Sequence, residues 1–198
     1  MLKIQNLRRQ DYKAQKWRNG LGETLEVAIE KENPFGWRIS IARVAETTAL
    51  SDFAGYDRVL VLLEGGPGLL SINNRDIPIK EMQPVRFSGD QKGTIQMRSA
   101  GRDFNLFCLR ERAKGNVYPT RISRSEEMQF PITGTEHFLF CVTGEVEWRD
   151  RESDEKIILA PHELLQLSRI NKKKEYLNQI VIGRAEQSVL LWIVVHVN

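Results

Sequence analysis

The chain of 198 residues lacks long apolar runs, has two cysteines and contains no histidine before residue 137. A helix needs about 20 consecutive apolar residues to cross a bilayer, and no run approaches that length. The first residues also lack the apolar core of a signal peptide. Cys108 and Cys141 lie in separate apolar runs without metal-ligand spacing, which is typical of reduced, buried thiols. We therefore expect a cytoplasmic protein without a membrane partner.

The charge balance is also nearly even. The net charge is +3, from 29 basic and 26 acidic residues. The single basic cluster, Asn171-Lys172-Lys173-Lys174-Glu175, contains a glutamate and reads as a solvated loop. Because a nucleic-acid surface needs more aligned cations, we expect no nucleic-acid partner.

What the sequence does contain is a series of short β patterns. The apolar run Val59–Leu63 enters the turn Glu64-Gly65-Gly66-Pro67-Gly68 and continues into Leu69-Leu70, which predicts a buried hairpin. Leu25–Ile29 and Trp37–Val44 alternate with a period of two. No long segment with helical periodicity precedes residue 110, so the sequence predicts an all-β protein with little helix.

The strand pattern of Trp37–Val44 places Arg38, Ser40 and Ala42 on one face. Such a face is either exposed to solvent or turned into a polar pocket. Exposure is the default for these residue types.

The layout of the first half recurs in the second half. Phe138–Trp148 repeats the pattern of Val59–Leu70 about 80 residues later, a spacing longer than that of solenoid repeats. The run Ser188–Val197 stands where Asn105–Leu109 stood. We therefore predict a duplicated β unit, with domains at residues 1–115 and 116–198 packed as one compact unit.

Six ordered motifs in the first half carry a family resemblance. They are Trp17-Arg18-Asn19-Gly20 with Gly22-Glu23-Thr24-Leu25-Glu26, Trp37–Ala42, Ser51–Arg58, Leu62-Leu63-Glu64-Gly65, Phe87-Ser88-Gly89-Asp90, and Asp103-Phe104-Asn105. In this order they resemble the HutD/Ves family of bicupins. The resemblance implies two jelly-roll, cupin-like β-barrels and a link to histidine utilisation.

The resemblance also implies a ligand pocket in the first barrel. Its residues would be Trp17, Asn19, Glu23, Thr24, Glu26, Arg38, Ser40, Phe53, Asp57, Arg58, Asp103 and Asn105. Two arginines in such a set could hold carboxylates through paired hydrogen bonds. We therefore expect a small organic acid as ligand, with formylglutamate as the candidate. The alternative is structural, with Asp57–Arg58 as a turn ion pair or Asp103 neutralising Arg38 inside the barrel.

The metal ligands of catalytic cupins are missing from the first half. Those sites use two histidines in a His-x-His motif, a glutamate and a distant histidine. Arg58 stands at the glutamate position, and a guanidinium group offers only donors. His137, His162 and His196 are widely separated in the second half and read as core or surface residues. We therefore predict neither a metal nor a cofactor, and we assign no catalytic residue.

Three functions remain open. The first is a non-enzymatic, metal-free binding protein with a regulatory role in histidine utilisation or in a stress response. The second is a metal-independent isomerase, epimerase or lyase in which Glu23, Glu26 or Asp57 acts as base. The third is an interaction protein whose last strand supports a homodimer. We favour the first function because no acid–base pair can be singled out.

Overall fold

A computed structural model of the chain describes residues 2–16, 23–44, 47–170 and 176–198. The strands of the first half are β1 (Leu2–Leu7), β2 (Lys13–Lys16), β3 (Glu23–Ile29), β4 (Trp37–Val44), β5 (Thr47–Ala49), β6 (Tyr56–Glu64), β7 (Gly68–Ile72), β8 (Arg75–Ile79), β9 (Pro84–Ser88), β10 (Gly93–Met97) and β11 (Gly101–Leu109). Those of the second half are β12 (Ala113–Ser123), β13 (Glu127–Ile132), β14 (Glu136–Thr143), β15 (Val146–Asp150), β16 (Glu155–Leu159), β17 (Leu164–Arg169), β18 (Tyr176–Gly183) and β19 (Gln187–Val197).

Helix is almost absent, which confirms the all-β prediction. The described residues contain one 3₁₀ turn at Arg9–Asp11 and no α-helix. None of these residues forms a helix with the length and apolarity needed to cross a membrane.

The contacts divide the chain into two units. Residues 12–115 and Asn198 form the amino-terminal unit, and residues 1–11 and 116–197 form the carboxy-terminal unit. The domain boundary predicted from the sequence placed residues 1–11 in the first barrel. The structure places them in the carboxy-terminal unit because β1 pairs antiparallel with β17, from Leu2 opposite Arg169 to Leu7 opposite Leu164.

The amino-terminal unit is a two-sheet sandwich. A six-stranded sheet has the order β2-β3-β4-β11-β6-β9, and a four-stranded sheet has the order β5-β10-β7-β8. The core between them includes Leu60 and Leu62 from the first sheet and Leu70 and Ile95 from the second. The sheets do not close into the barrel that the sequence analysis predicted, so the unit is an open, cupin-like sandwich.

The carboxy-terminal unit repeats this two-sheet architecture. Its sheets have the orders β1-β17-β14-β19-β12 and β13-β18-β15-β16. Trp148, Leu139, Cys141 and Leu165 are fully or almost fully buried in its core. Large side chains therefore fill this sandwich.

Matching turns in the two units support the predicted duplication. The Met82 amide donates to the Leu62 carbonyl at 2.9 Å, and the His162 amide donates to the Cys141 carbonyl at 2.7 Å. Met82 and His162 also share a positive φ, of 58° and 67°. Few side chains adopt this backbone conformation, so its recurrence at equivalent places indicates a common ancestral unit.

Candidate ligand-binding site

A cavity of about 740 Å³ opens on the inner face of the six-stranded sheet in the amino-terminal unit. Its polar wall comes from β2, β3, β4, β11 and β6, and the opposite wall comes from β5, β10 and the loop before β6. The lining residues are Gln15, Lys16, Thr24, Arg38, Ser40, Ala42, Val44, Thr48, Ala49, Leu50, Ser51, Asp52, Phe53, Arg58, Ile95, Asp103, Asn105 and Phe107.

Strand register brings the polar residues together on this wall. Phe107 lies opposite Arg38 on β4 and opposite Arg58 on β6, so the two arginines flank one aromatic ring. Asn105 lies opposite Ser40 in the next row. Directly opposed residues in antiparallel strands share a face. Arg38 and Ser40 are 9% and 2% exposed, so their face is turned into the cavity rather than toward solvent.

Arg58 is the most deeply buried cationic side chain of the cavity wall. Its Nη2 donates to Asn105 Oδ1 at 3.0 Å, and its Nη1 donates to the Ser51 carbonyl at 3.4 Å. The guanidinium carbon lies 4.8 Å and 4.6 Å from the ring centroids of Phe87 and Phe107. Within the described residues, no acceptor reaches the buried Arg58 Nε. Arg58 is therefore enclosed by aromatic rings, and its Nε–H has no hydrogen-bond partner among the described residues.

The electrostatic environment of Arg58 favours an added anion. The pKa of Arg58 is lowered to about 10, chiefly by burial; the negative charge of Asp103 raises it, and the positive charge of Arg38 lowers it to a smaller extent. Arg58 remains protonated at pH 7 because this pKa is still well above neutrality. A buried cation gains free energy when an anion approaches, because burial has removed part of its hydration.

Asp103 is the buried carboxylate of the same wall. Burial raises its pKa to about 6, and the hydrogen bond from Asn105, the charge of Arg58 and the Ala42 amide act to lower it. Asp103 Oδ1 receives no hydrogen bond from the described part of the chain. Asn105 therefore stands between the two charged groups, since its oxygen accepts from Arg58 and its side chain also bonds Asp103.

Arg38 is already paired. Its Nε donates to Glu26 Oε2 at 3.1 Å, and its Nη2 donates to Gln15 Oε1 at 3.5 Å. The Arg38 and Glu26 side chains are 11% and 12% exposed, so this ion pair is largely shielded from water. The predicted structural alternative paired Arg38 with Asp103, whereas the structure pairs it with Glu26. Arg58, whose Nε has no partner among the described residues, is thereby the better placed of the two arginines to hold a ligand.

The structure brings seven of the twelve predicted site residues to the cavity wall. These are Thr24, Arg38, Ser40, Phe53, Arg58, Asp103 and Asn105. Glu26 supports Arg38 from β3 without lining the cavity, and Glu23 is exposed at the beginning of β3. Trp17 and Asn19 lie outside the described residues.

Asp57 does not line the cavity, so its predicted place in the ligand pocket is wrong. Successive residues of a strand point to opposite faces, so Asp57 and Arg58 cannot both face the cavity from β6. Asp57 is exposed and accepts a hydrogen bond from Arg110 at 2.7 Å. It therefore neither forms the predicted turn pair with Arg58 nor stands near the cavity as a base.

The sequence analysis missed several lining residues, above all Phe107. Phe107 shares strand parity with Asp103 and Asn105 on β11, so the alternation rule could have found it. Gln15 and Lys16 come from the edge strand β2, whose short polar pattern carries no such signal.

The carboxy-terminal unit has a histidine at the position equivalent to Arg58. His137 precedes Gly144 by seven residues, as Arg58 precedes Gly65. His137 is buried, its Nε2 accepts from the Gly134 amide at 2.8 Å, and burial lowers its pKa to about 3. It is therefore a neutral core residue. Among the described residues, no group of three or more His, Cys, Asp or Glu side chains could hold a metal ion.

Two cupin-like sandwiches in one chain define the bicupin class of proteins. A cupin 2 conserved barrel domain protein from Leptotrichia buccalis shares this fold, with a TM-score of 0.57, 13% identity, and coverage of 87% of this chain and 88% of its own. The HutD family profile matches residues 9–181, and the chain belongs to the HutD family.

Curated relatives match over part of their length. An uncharacterized 21.2 kDa protein in the hutC 3′ region of Pseudomonas putida is 34% identical over 122 residues, which cover 59% of this chain and 64% of the relative. Protein Ves of Citrobacter koseri is 39% identical over 106 residues, which cover 51% and 56%. The chain thus spans less than two thirds of the length of these relatives.

Solved structures match over nearly the whole chain. A conserved protein of unknown function from Pseudomonas aeruginosa PAO1 has a TM-score of 0.85 and 28% identity, covering 98% of this chain and 99% of its own. HutD from Pseudomonas fluorescens SBW25, solved in a formate condition, has a TM-score of 0.81 and 27% identity, covering 99% and 100%.

Proposed function

We propose that this chain is a metal-free bicupin that binds a small carboxylate in the amino-terminal cavity. The candidate ligand is formylglutamate or another intermediate of histidine catabolism, and the role is regulatory, in histidine utilisation or in a stress response. The observation that carries the proposal is Arg58, a buried cation in the cavity wall whose Nε has no partner among the described residues. The HutD family and the relative in the hutC 3′ region support the metabolic context.

A carboxylate would satisfy the remaining donors of Arg58. A guanidinium group has five N–H donors, and Arg58 gives two hydrogen bonds to the described part of the chain. Hydrogen bonds that involve a charged group contribute about 1.5–3 kcal/mol each, and a low local dielectric strengthens them. The aromatic rings around Arg58 fix the guanidinium plane, which favours paired recognition of a planar carboxylate.

The dimensions of the cavity suit a small acid with two carboxylates. A volume of about 740 Å³ lies within the range of roughly 300–1,000 Å³ that is common for ligand pockets. Arg38 and Arg58 lie on the two strands that flank β11, so their Cα atoms are separated by two strand spacings, about 10 Å. One carboxylate would meet Arg58, and the second would extend along the wall toward Arg38.

Isothermal titration at pH 7.5 tests the proposal with N-formyl-L-glutamate, urocanate and L-glutamate as probes. At least one probe should bind, and Arg58→Gln should weaken that binding at least tenfold because the buried cation is lost. Arg43→Gln is the matched control, since Arg43 is exposed on β4 and does not line the cavity. Undiminished binding to Arg58→Gln, or no heat with any of the acids, would contradict the proposal.

One observation favours the enzymatic alternative. The pKa of Asp103 is raised to about 6 in the cavity wall, and a general base works best when its pKa is near the working pH. Asp103 therefore replaces Asp57 as the candidate base for an isomerase or epimerase. Incubation of the bound acid in D₂O tests this role by NMR. Deuterium incorporation that disappears in Asp103→Asn supports the enzyme, and its absence in the wild-type protein excludes this reaction.

A further inference from the structure

Two buried side-chain atoms of the amino-terminal unit lack a protein partner among the described residues, and they are of opposite kind. Arg58 Nε carries a hydrogen to donate, whereas Asp103 Oδ1 can only accept while the carboxylate is ionised. Both residues line the cavity. Native proteins pair the large majority of buried polar groups, so this complementary pair describes what the cavity is built to receive.

We propose that Asp103 determines specificity, by accepting a hydrogen bond from an N–H or O–H group that the ligand carries beside its carboxylate. The ligand class is then the α-amido, α-amino and α-hydroxy acids rather than simple carboxylic acids. This inference rests on the proposed function, in which Arg58 receives the carboxylate.

The spacing of the two groups fits such a ligand. Arg58 reaches Asn105 at 3.0 Å, and Asn105 and Asp103 are two residues apart on β11, which separates their Cα atoms by about 6.6 Å. Two hydrogen bonds of about 2.9 Å each and a short ligand segment can bridge from Arg58 to Asp103. A carboxylate with a donor on the neighbouring carbon provides that segment.

The charge of Asp103 gives the selection its strength. A ligand carboxylate held by Arg58 approaches a second carboxylate in a site of low dielectric, where like charges repel strongly. A ligand donor compensates this repulsion by bonding Asp103. A simple carboxylic acid leaves Asp103 Oδ1 without a partner and meets the repulsion without compensation, and an unpaired buried polar atom carries its full desolvation cost.

Three probes that differ in the donor test the inference. N-formyl-L-glutamate offers an amide N–H, 2-hydroxyglutarate offers an O–H, and glutarate offers neither. In titrations at pH 7.5 we expect the wild-type protein to bind the two donor-bearing acids at least tenfold more tightly than glutarate.

The variant Asp103→Asn should abolish this preference. It removes the negative charge at nearly constant shape, so it should weaken the two donor-bearing acids at least tenfold and leave glutarate unchanged or tighter. Asp76→Asn is the control, because Asp76 is an exposed carboxylate on β8 that does not line the cavity, and it should keep the wild-type preference. Cooperative thermal unfolding of each variant establishes that it is folded.

The outcomes separate this inference from the proposed function. If the three acids bind the wild-type protein within twofold of one another, or if Asp103→Asn keeps the preference, the role of Asp103 is refuted while carboxylate binding stands. If none of the acids binds, or if Arg58→Gln binds them as the wild-type protein does, the proposed function fails and the inference fails with it.

Discussion

Replacing Asp103 by asparagine should stabilise the unliganded protein at neutral pH. Asp103 is a buried carboxylate with one unpartnered oxygen, so the fold holds a charge that water would solvate better. Burial raises the pKa of Asp103 from 3.8 to about 6. This difference of roughly two units corresponds to about 3 kcal/mol at pH values above both pKa values.

The sign of the effect follows from proton binding. Between pH 4 and pH 6 the folded protein holds the Asp103 proton more tightly than the unfolded chain does, so its free energy of unfolding falls as the pH rises through this window. Asparagine does not titrate. The advantage of Asp103→Asn over the wild-type protein should therefore grow by about 2 kcal/mol between pH 4.5 and pH 7.5.

Urea unfolding followed by tryptophan fluorescence at four pH values measures this difference. The dependence of the unfolding free energy on urea should be the same for both proteins, since they expose the same surface. Asp52→Asn serves as the control for the loss of an exposed carboxylate. A difference between Asp103→Asn and wild type that stays constant with pH, or that shrinks as the pH rises, would refute the idea that the fold opposes the Asp103 charge.

Three further predictions concern the support of the site and of the fold. Glu26→Gln removes the charge that pairs with buried Arg38 and should lower the free energy of unfolding by about 3 kcal/mol. Glu23→Gln, at an exposed position, should change the free energy of unfolding by less than about 0.5 kcal/mol. Urea unfolding of the two variants measures the difference. Gly65→Ala should cost more than about 2 kcal/mol, because φ is +94° and the new Cβ would lie 2.4 Å from a backbone carbon. Gly55→Ala, with φ +83° and only an ordinary contact of 3.6 Å to the Leu109 side chain, should cost about 1 kcal/mol. Between pH 7.5 and pH 4.5, the free energy of unfolding of His137→Gln should fall by about 2.5 kcal/mol less than that of the wild-type protein. The reason is that burial lowers the pKa of His137, so its contribution to stability is present above pH 6.5 and is lost as the pH falls toward 3. Equal acid sensitivity of the two proteins would contradict that last expectation.

The local strand patterns predicted most of the fold. Alternation and glycine-containing turns are short-range signals, so β4 and the hairpin of β6 and β7 could be found from neighbouring residues alone. The partner of β1 could not be found in this way, because β17 lies more than 150 residues later and no local pattern records the pairing. Sheet closure depends on the same long-range geometry, which explains why the sequence predicted closed barrels where open sandwiches occur.

The candidate site was predictable where residue type and strand parity agreed. Arg38 and Asp103 were assigned through the family resemblance, and their cross-strand register brings them to one wall. Asp57 was assigned from its motif against the parity rule, and the rule decided its position. The pairing of Arg38 with Glu26 could not be read from the sequence, because a bulge in β3 between Glu26 and Ala28 shifts the alignment of its side chains.

The position of β1 has a consequence for how the protein is made and divided. During translation, Leu2–Leu7 leaves the ribosome long before its hydrogen-bonding partner Leu164–Arg169, which lies more than 150 residues later in the chain. The strands of the amino-terminal unit can complete their pairing in the meantime. A cut after residue 115 would leave β1 on one fragment and the bare edge of β17 on the other. An isolated carboxy-terminal half would then need residues 2–7 added back, for example as a synthetic peptide.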